Sequence, residues 1–127
     1  MFFVILLLIK KTIMNRTKAA DYFHVAPEKL NCAQSILKAF QSQLNISEET
    51  IAKFQKHGGG RAPEGICGAL FAADYLLKQQ GKNSIHKTFN QKAGAVTCIE
   101  LKRNKKIPCE MCVKIADKLL EEKLADF

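Results

Sequence analysis

The sequence contains no tryptophan and few aromatic residues. Aromatic side chains are the platforms on which proteins stack unpaired bases, so their scarcity counts against binding to single-stranded nucleic acid. The chain also lacks an internal repeat, a low-complexity tract and a linker that would divide it. With 127 residues, of which 47% are hydrophobic, it suits one domain whose core is large enough to fold without disulfides. We therefore expect a single domain over residues 14–127.

The only long apolar run occupies residues 1–9 and is followed by Lys10 and Lys11. It is too short to span a bilayer, which takes about 20 residues. A standard signal peptide is also excluded, since no basic region precedes the run and no small-residue cleavage site follows it before Asn15. We interpret residues 1–13 as a non-native or mis-assigned extension with Met14 as the natural start, and a short membrane-associating tail is the alternative. No transmembrane span is expected.

The net charge of +8 raises the question of a nucleic-acid partner. The densest basic cluster consists of Lys102, Arg103, Lys105 and Lys106. Because it has no interleaved aromatic residues and matches no nucleic-acid-binding motif, we consider such a partner unlikely. Cations near a cysteine favour its thiolate form, so the cluster can instead support sulfur chemistry at Cys98 or Cys109.

The apolar residues follow helical spacing through most of the chain, and no run alternates as a strand would. Helices are predicted over residues 30–44, 47–58, 63–81, 84–94 and 108–124. Asn31 is a good N-cap for the first helix, and Gln34 is placed to close a capping box. Residues 58–60 are predicted as a glycine-rich loop, and residues 95–101 as an extended segment that contains Cys98. The predicted fold is an all-α bundle of about five helices.

The five cysteines carry most of the chemical information in the sequence. They are Cys32, Cys67, Cys98, Cys109 and Cys112. An odd number of cysteines without a cleavable signal fits a reducing cytoplasm, where cysteines serve as metal ligands or redox centres. Three of them, Cys32, Cys67 and Cys109, are predicted in first helical turns, where free N–H groups and the helix dipole favour thiolates. Gly68 costs helix stability and indicates a close approach beside Cys67.

Short motifs around these cysteines resemble those of a known family. They are Asn31-Cys32-Ala33-Gln34-Ser35, Gly58-Gly59-Gly60, Cys67-Gly68-Ala69-Leu70, Phe89 with Gly94 before Cys98, and Pro108-Cys109 with Val113. On these residues, the chain from Met14 to about Glu122 resembles the C_GCAxxG_C_C family of small proteins described as redox-active. The resemblance implies that the four family cysteines are Cys32, Cys67, Cys98 and Cys109, and that Cys112 is an extra. Ala72 stands where the CGAxxG motif has its last glycine.

Three functions are compatible with this pattern. We rank first an iron–sulfur cluster held by Cys32, Cys67, Cys98 and Cys109 for electron transfer or redox sensing, since four singly delivered thiols favour a shared centre. The second is a thiol–disulfide oxidoreductase, with Cys109 as nucleophile and Cys112 or Cys98 as resolver, which needs no cofactor. The third is a structural zinc module, for which only one of the usual CxxC pairs is present. The expected partner is a redox protein.

Overall fold

The structure is a computed structural model that describes residues 16–125. In this part of the chain there are helices and no strand. The helices are α1 (Cys32–Ala39), α2 (Gln41–Leu44), α3 (Glu48–Lys53), α4 (Gly68–Gln79), α5 (His86–Ala93) and α6 (Cys109–Leu124). Shorter segments are 3-10 turns at Ala19–Asp21, Phe54–His57 and Pro63–Gly65 and a π-helical segment at Glu100–Asn104. The all-α prediction is confirmed, whereas the predicted extension at residues 1–13 lies outside the described residues.

Helix α1 begins where the sequence predicts because Asn31 and Gln34 cap it reciprocally. The Gln34 N–H donates to Asn31 Oδ1 (2.8 Å), and the Asn31 N–H donates to Gln34 Oε1 (3.1 Å). Gln34 Nε2 also donates to the Ile51 carbonyl (3.1 Å), which ties α1 to α3. The helix predicted over 30–44 is interrupted at Phe40, whose backbone leaves the helical region between α1 and α2.

Helix α4 lies at the centre of the packing. It contacts α1 and α6, and α6 also packs against α1 and α5. The largest fully buried hydrophobic side chains are Ile36, Leu37, Phe40, Leu70, Leu76, Leu77, Phe89, Leu101, Val113 and Leu120. Burial of these side chains supplies the main stabilising term, at about 1.5–3 kcal/mol for each large one. Among residues 16–125, no helix combines the length and the apolar character needed to cross a membrane.

The prediction that the central helix starts at Pro63 is wrong. Pro63 opens a 3-10 turn, and α4 begins only after Cys67. Between them Ile66 is extended and pairs in antiparallel fashion with Thr97, while the Cys67 N–H donates to the Val96 carbonyl (2.8 Å). Because this pairing engages the backbone just before α4, the helix cannot extend further towards the N-terminus.

The prediction that residues 95–101 are extended is wrong from Cys98 onward. Cys98 and Ile99 are helical and lead directly into the π-helical segment. Thr97 starts this turn, since its Oγ1 accepts the Glu100 N–H (3.3 Å) and its carbonyl accepts the Leu101 N–H (3.0 Å). A threonine followed three residues later by glutamate is a sequence sign of a helix start. That sign was available in the sequence.

A buried ion pair attaches the N-terminal segment to α6. The Arg16 guanidinium bonds the Asp117 carboxylate, and both side chains are buried. The Ala19 N–H also donates to Asp117 Oδ2 (2.5 Å), and the Arg16 guanidinium lies over the Phe40 ring, 3.7 Å from its centroid. One carboxylate therefore satisfies both a buried charged group and a backbone amide, and Glu121 gives the Arg16 guanidinium a second carboxylate at 3.2 Å.

Replacing Asp117 with alanine should destabilise the fold by about 3 kcal/mol, because it removes the buried carboxylate of the Arg16 pair and the acceptor of the Ala19 N–H. The Arg16 guanidinium then keeps only the Glu121 carboxylate within ion-pair distance (3.2 Å). The measurement is the free energy of unfolding in urea. Glu122→Ala, an exposed position on the same helix, is the matched control and should change that free energy by less than about 0.5 kcal/mol. Equal effects of the two substitutions would contradict the anchoring role of Asp117.

Candidate functional site

All five cysteines line one cavity. Its volume is about 20 Å³, enough for a single water-sized group, and all five thiols are free. The other lining residues are Gly59, Gly68, Leu101, Lys102 and Ile107. The structure thus brings together Cys32, Cys67, Cys98 and Cys109, which are far apart in the sequence. Cys112, which the resemblance implied to be an extra cysteine, lines the same cavity.

Each of the four family cysteines lies at the start of a helical segment. Cys32 and Cys109 are the first residues of α1 and α6, Cys67 directly precedes α4, and Cys98 follows the cap residue Thr97. The free N–H groups at a helix start carry partial positive charge. The sequence predicted this placement for three of the cysteines and missed it for Cys98.

Gly68 allows the first turn of α4 to approach the Cys32 sulfur. A Cβ atom at Gly68 would lie 2.7 Å from Cys32 Sγ and 2.5 Å from the His57 carbonyl oxygen, so no side chain fits there. The close approach that the sequence indicated at Gly68 is confirmed. Ala72, at the position of the family's last glycine, is fully buried in α4.

Burial controls the protonation of two of the thiols. It raises the pKa of Cys32 to about 11, and repulsion from Cys67 and Cys109 acts in the same direction. Burial also raises the pKa of Cys98, although attraction to Lys102 opposes this effect. Cys32 and Cys98 therefore keep their protons at neutral pH in the metal-free protein.

Cys67 and Cys112 form a hydrogen-bonded pair between α4 and α6. The Cys67 thiol donates to the Cys112 sulfur, which lowers the pKa of Cys112, and the same hydrogen bond together with burial raises the pKa of Cys67. The proton of the pair therefore belongs to Cys67. This contact joins segments that are distant in sequence, and no local pattern predicts it.

Lys102 is the cation of the site. Attraction to Cys109 and a hydrogen bond to that sulfur raise the pKa of the Lys102 ammonium, with a smaller contribution from Cys98. From the sequence we expected the basic cluster to support sulfur chemistry at Cys98 or Cys109. Lys102 is the member of the cluster that lines the cavity.

The thiols differ in their access to solvent. Cys98 and Cys109 are partly exposed, whereas Cys32, Cys67 and Cys112 are buried. The site therefore has two cysteines at its opening and three in its interior. His57 and His86, for which the sequence shows no partner, do not line the cavity.

Two features of the cavity bear on metal binding, namely the chemical type of its side chains and their spacing. Thiols alone line the cavity as potential ligands, which is the donor type of iron–sulfur proteins. In the described part of the chain, however, no three His, Cys, Asp or Glu side chains are grouped as the ligands of a metal ion. The chemical type of these residues fits an iron–sulfur cluster.

The protein is therefore a small helical bundle whose five free thiols line one cavity. The sequence model of a family described as "Putative redox-active protein (C_GCAxxG_C_C)" matches residues 30–123. The chain belongs to this family, which confirms the resemblance identified from its motifs. No curated protein and no solved structure matches the chain.

Alkylation of the folded protein should follow the exposure of the thiols. At neutral pH we expect iodoacetamide to label Cys109 fastest and Cys98 next, because alkylation needs both access and a thiolate. Cys32, Cys67 and Cys112 should become labelled only after denaturation. Mass spectrometry of the digested protein gives the labelled fraction at each position. Rapid labelling of Cys32 or Cys67 in the folded protein would contradict the arrangement of the cavity.

Proposed function

We propose that the chain is a thiol–disulfide redox protein in which Cys109 attacks a substrate disulfide and Cys112 resolves the product. The observation that carries this proposal is the position of the two residues on α6. Cys109 is partly exposed and contacts the Lys102 ammonium, while Cys112 is buried one turn later at the same cavity. Residues three apart on a helix have Cβ atoms about 5–6 Å apart, so a small adjustment brings their sulfurs together.

The exchange proceeds in two balanced steps. The Cys109 thiolate attacks one sulfur of the substrate disulfide, forms a mixed disulfide and expels the first substrate thiolate. The Cys112 thiolate then attacks the Cys109 sulfur, which closes the Cys109–Cys112 disulfide and expels the second substrate thiolate. The protein loses two electrons, which leave with the two substrate thiolates, and two protons pass to the substrate thiols or to water. The reverse steps restore the dithiol.

Cys67 supports the second step as a positioning residue. Its thiol donates a hydrogen bond to the Cys112 sulfur, so Cys112 is held as an acceptor at the cavity and favours the thiolate form. Cys67 itself keeps its proton, which suits it to donate this bond and not to attack. The lowered pKa of Cys112 makes its thiolate easier to form for the second step, inside the protein and away from solvent.

An iron–sulfur cluster held by Cys32, Cys67, Cys98 and Cys109 is the second candidate. It is favoured by a specific observation, namely that each of these four thiols lies at the start of a helical segment. It also gives a role to Cys32, which the exchange does not use. When bound, a cluster would supply one-electron transfer. We rank it second because the side chains are not grouped as ligands. Zinc, supported by no further feature, stays the third prediction.

A single-turnover reaction tests the exchange. One equivalent of the aromatic disulfide 5,5′-dithiobis(2-nitrobenzoate) should release both of its thiolates from the reduced protein and leave a Cys109–Cys112 disulfide. Cys112→Ser should release only one thiolate, because the mixed disulfide at Cys109 can no longer be resolved. Absorbance of the released thiolate and peptide mass spectrometry provide the two readouts.

Cys98→Ser is the matched control for this experiment, since Cys98 is the other partly exposed thiol. It should still release both thiolates. Loss of the second release in Cys98→Ser, together with its retention in Cys112→Ser, would make Cys98 the resolver and overturn the assignment of Cys112.

Metal analysis separates the two candidates. Iron, zinc and acid-labile sulfide should be measured on the full chain purified without oxygen. If a cluster is present, Cys32→Ser should lose its iron and sulfide, whereas Cys112→Ser should keep both, since Cys112 lies outside the family's four cysteines. Iron retained in Cys32→Ser would contradict the four-ligand cluster. Absence of iron and sulfide from the wild-type protein would favour the dithiol mechanism.

A further inference from the structure

Exposed apolar side chains lie next to the partly exposed cysteines in the sequence. Residues 16–125 expose three large hydrophobic side chains, and two of them flank the partly exposed cysteines. Ile99, which is 63% exposed, follows Cys98 directly, and Met111, which is 45% exposed, lies between Cys109 and Cys112. Large exposed apolar groups beside a reactive site are typical of the centre of a protein interface.

Basic side chains follow Ile99 in the sequence. Lys102 and Ile107 line the cavity, and Arg103 and Lys106 lie between them in sequence with exposed side chains. None of the three basic residues is within ion-pair distance of a carboxylate in the described part of the chain. We call the surface formed by Ile99, Lys102, Arg103, Lys106 and Met111 the entry face.

The acidic groups near the entry face do not cancel its charge. Glu110 pairs with Lys114 (3.6 Å), so its charge is balanced within α6. Glu100 is exposed at the start of the π-helical segment, and four basic residues follow it within residues 102–106. The fourth member of the basic cluster, Lys105, packs its methylene groups against Gly94, so its role is partly structural.

We propose that the entry face docks a partner protein whose reacting disulfide is surrounded by acidic and apolar side chains. This inference rests on the proposed function, since it places the substrate disulfide on a protein surface at Cys109. Complementary charge accelerates encounter and fixes orientation, and the apolar centre provides the contact that excludes water. A nucleic acid would use the same cations, but the entry face has no aromatic side chain on which a base could stack.

Two short probe peptides test the charge and reactivity of the entry face. One has the sequence Asp-Asp-Leu-Cys-Asp-Asp and the other Lys-Lys-Leu-Cys-Lys-Lys, and each carries 2-nitro-5-thiobenzoate as a mixed disulfide on its cysteine. At low ionic strength the acidic peptide should release thionitrobenzoate on the order of 10-fold faster than the basic one. The difference should shrink at 1 M salt, where the Debye length is about 3 Å.

Arg103→Gln with Lys106→Asn should abolish most of this preference, and asparagine suits the left-handed backbone of Lys106. Lys78→Gln with Lys123→Gln is the matched control, since it removes the same number of positive charges from the last turns of α4 and α6. They lie about 15 and 21 Å along α4 and α6 from the cysteine ends of those helices. The control should keep the preference for the acidic peptide.

Binding is measured separately, by fluorescence anisotropy of the same peptides with serine in place of cysteine. The entry face is supported if the wild-type protein binds the acidic peptide preferentially and the double variant loses this preference. If this preference is seen but no thionitrobenzoate is released, only the proposed exchange fails. Equal binding of both peptides, or an unchanged preference in Arg103→Gln with Lys106→Asn, overturns the inference. Displacement of the acidic peptide by a thymidine oligonucleotide at lower concentration would assign the surface to nucleic acid and also overturn it.

Discussion

The contact between the Cys32 sulfur and the backbone of Gly68 is the constraint on which the cysteine site depends. It sets how closely α1 and α4 pack, because the space that a Cβ would need is already taken by that sulfur and by the His57 carbonyl. With α1 and α4 at this distance, Cys32 and Cys67 face the same cavity, and α6 closes it from the other side. A side chain at position 68 would therefore disturb the sulfur geometry and the core together.

The electrostatic design of the cavity balances two opposing effects. Burial favours protonated thiols, as the raised pKa of Cys32 shows. Helix starts, Lys102 and the hydrogen bond from Cys67 favour negative sulfur, and they act most strongly at the α6 end of the site. Cys32 and Cys67 consequently keep their protons, whereas the lowered pKa of Cys112 and the Lys102 ammonium beside Cys109 are found at the α6 end. This gradient is what a site needs if its reactive sulfur must meet a partner and its other sulfurs must not.

Local features of the sequence predicted the all-α fold and the positions of several helices. Asn31 and Gln34 cap α1 as their spacing indicates, and the basic cluster does place Lys102 at Cys109. The helix start at Cys98 was also readable from Thr97 and Glu100, but residues 95–101 were predicted to be extended. The late start of α4 and the Cys67–Cys112 hydrogen bond depend on contacts between distant segments. Neither leaves a signal in the residues nearby.

The pairing of Ile66 with Thr97 ties the second and third family cysteines to one another through the backbone. Of the chain that connects them, only Gly68 is among the residues that line the cavity, and α5 contributes none. Insertions or deletions between α4 and α5 can therefore be absorbed without moving either sulfur, provided the backbone pair and the packing of α4 are kept. For recognising the same site in other chains, the distance in sequence between these cysteines is a weak criterion, and the few residues that start a helix at each of them are a strong one.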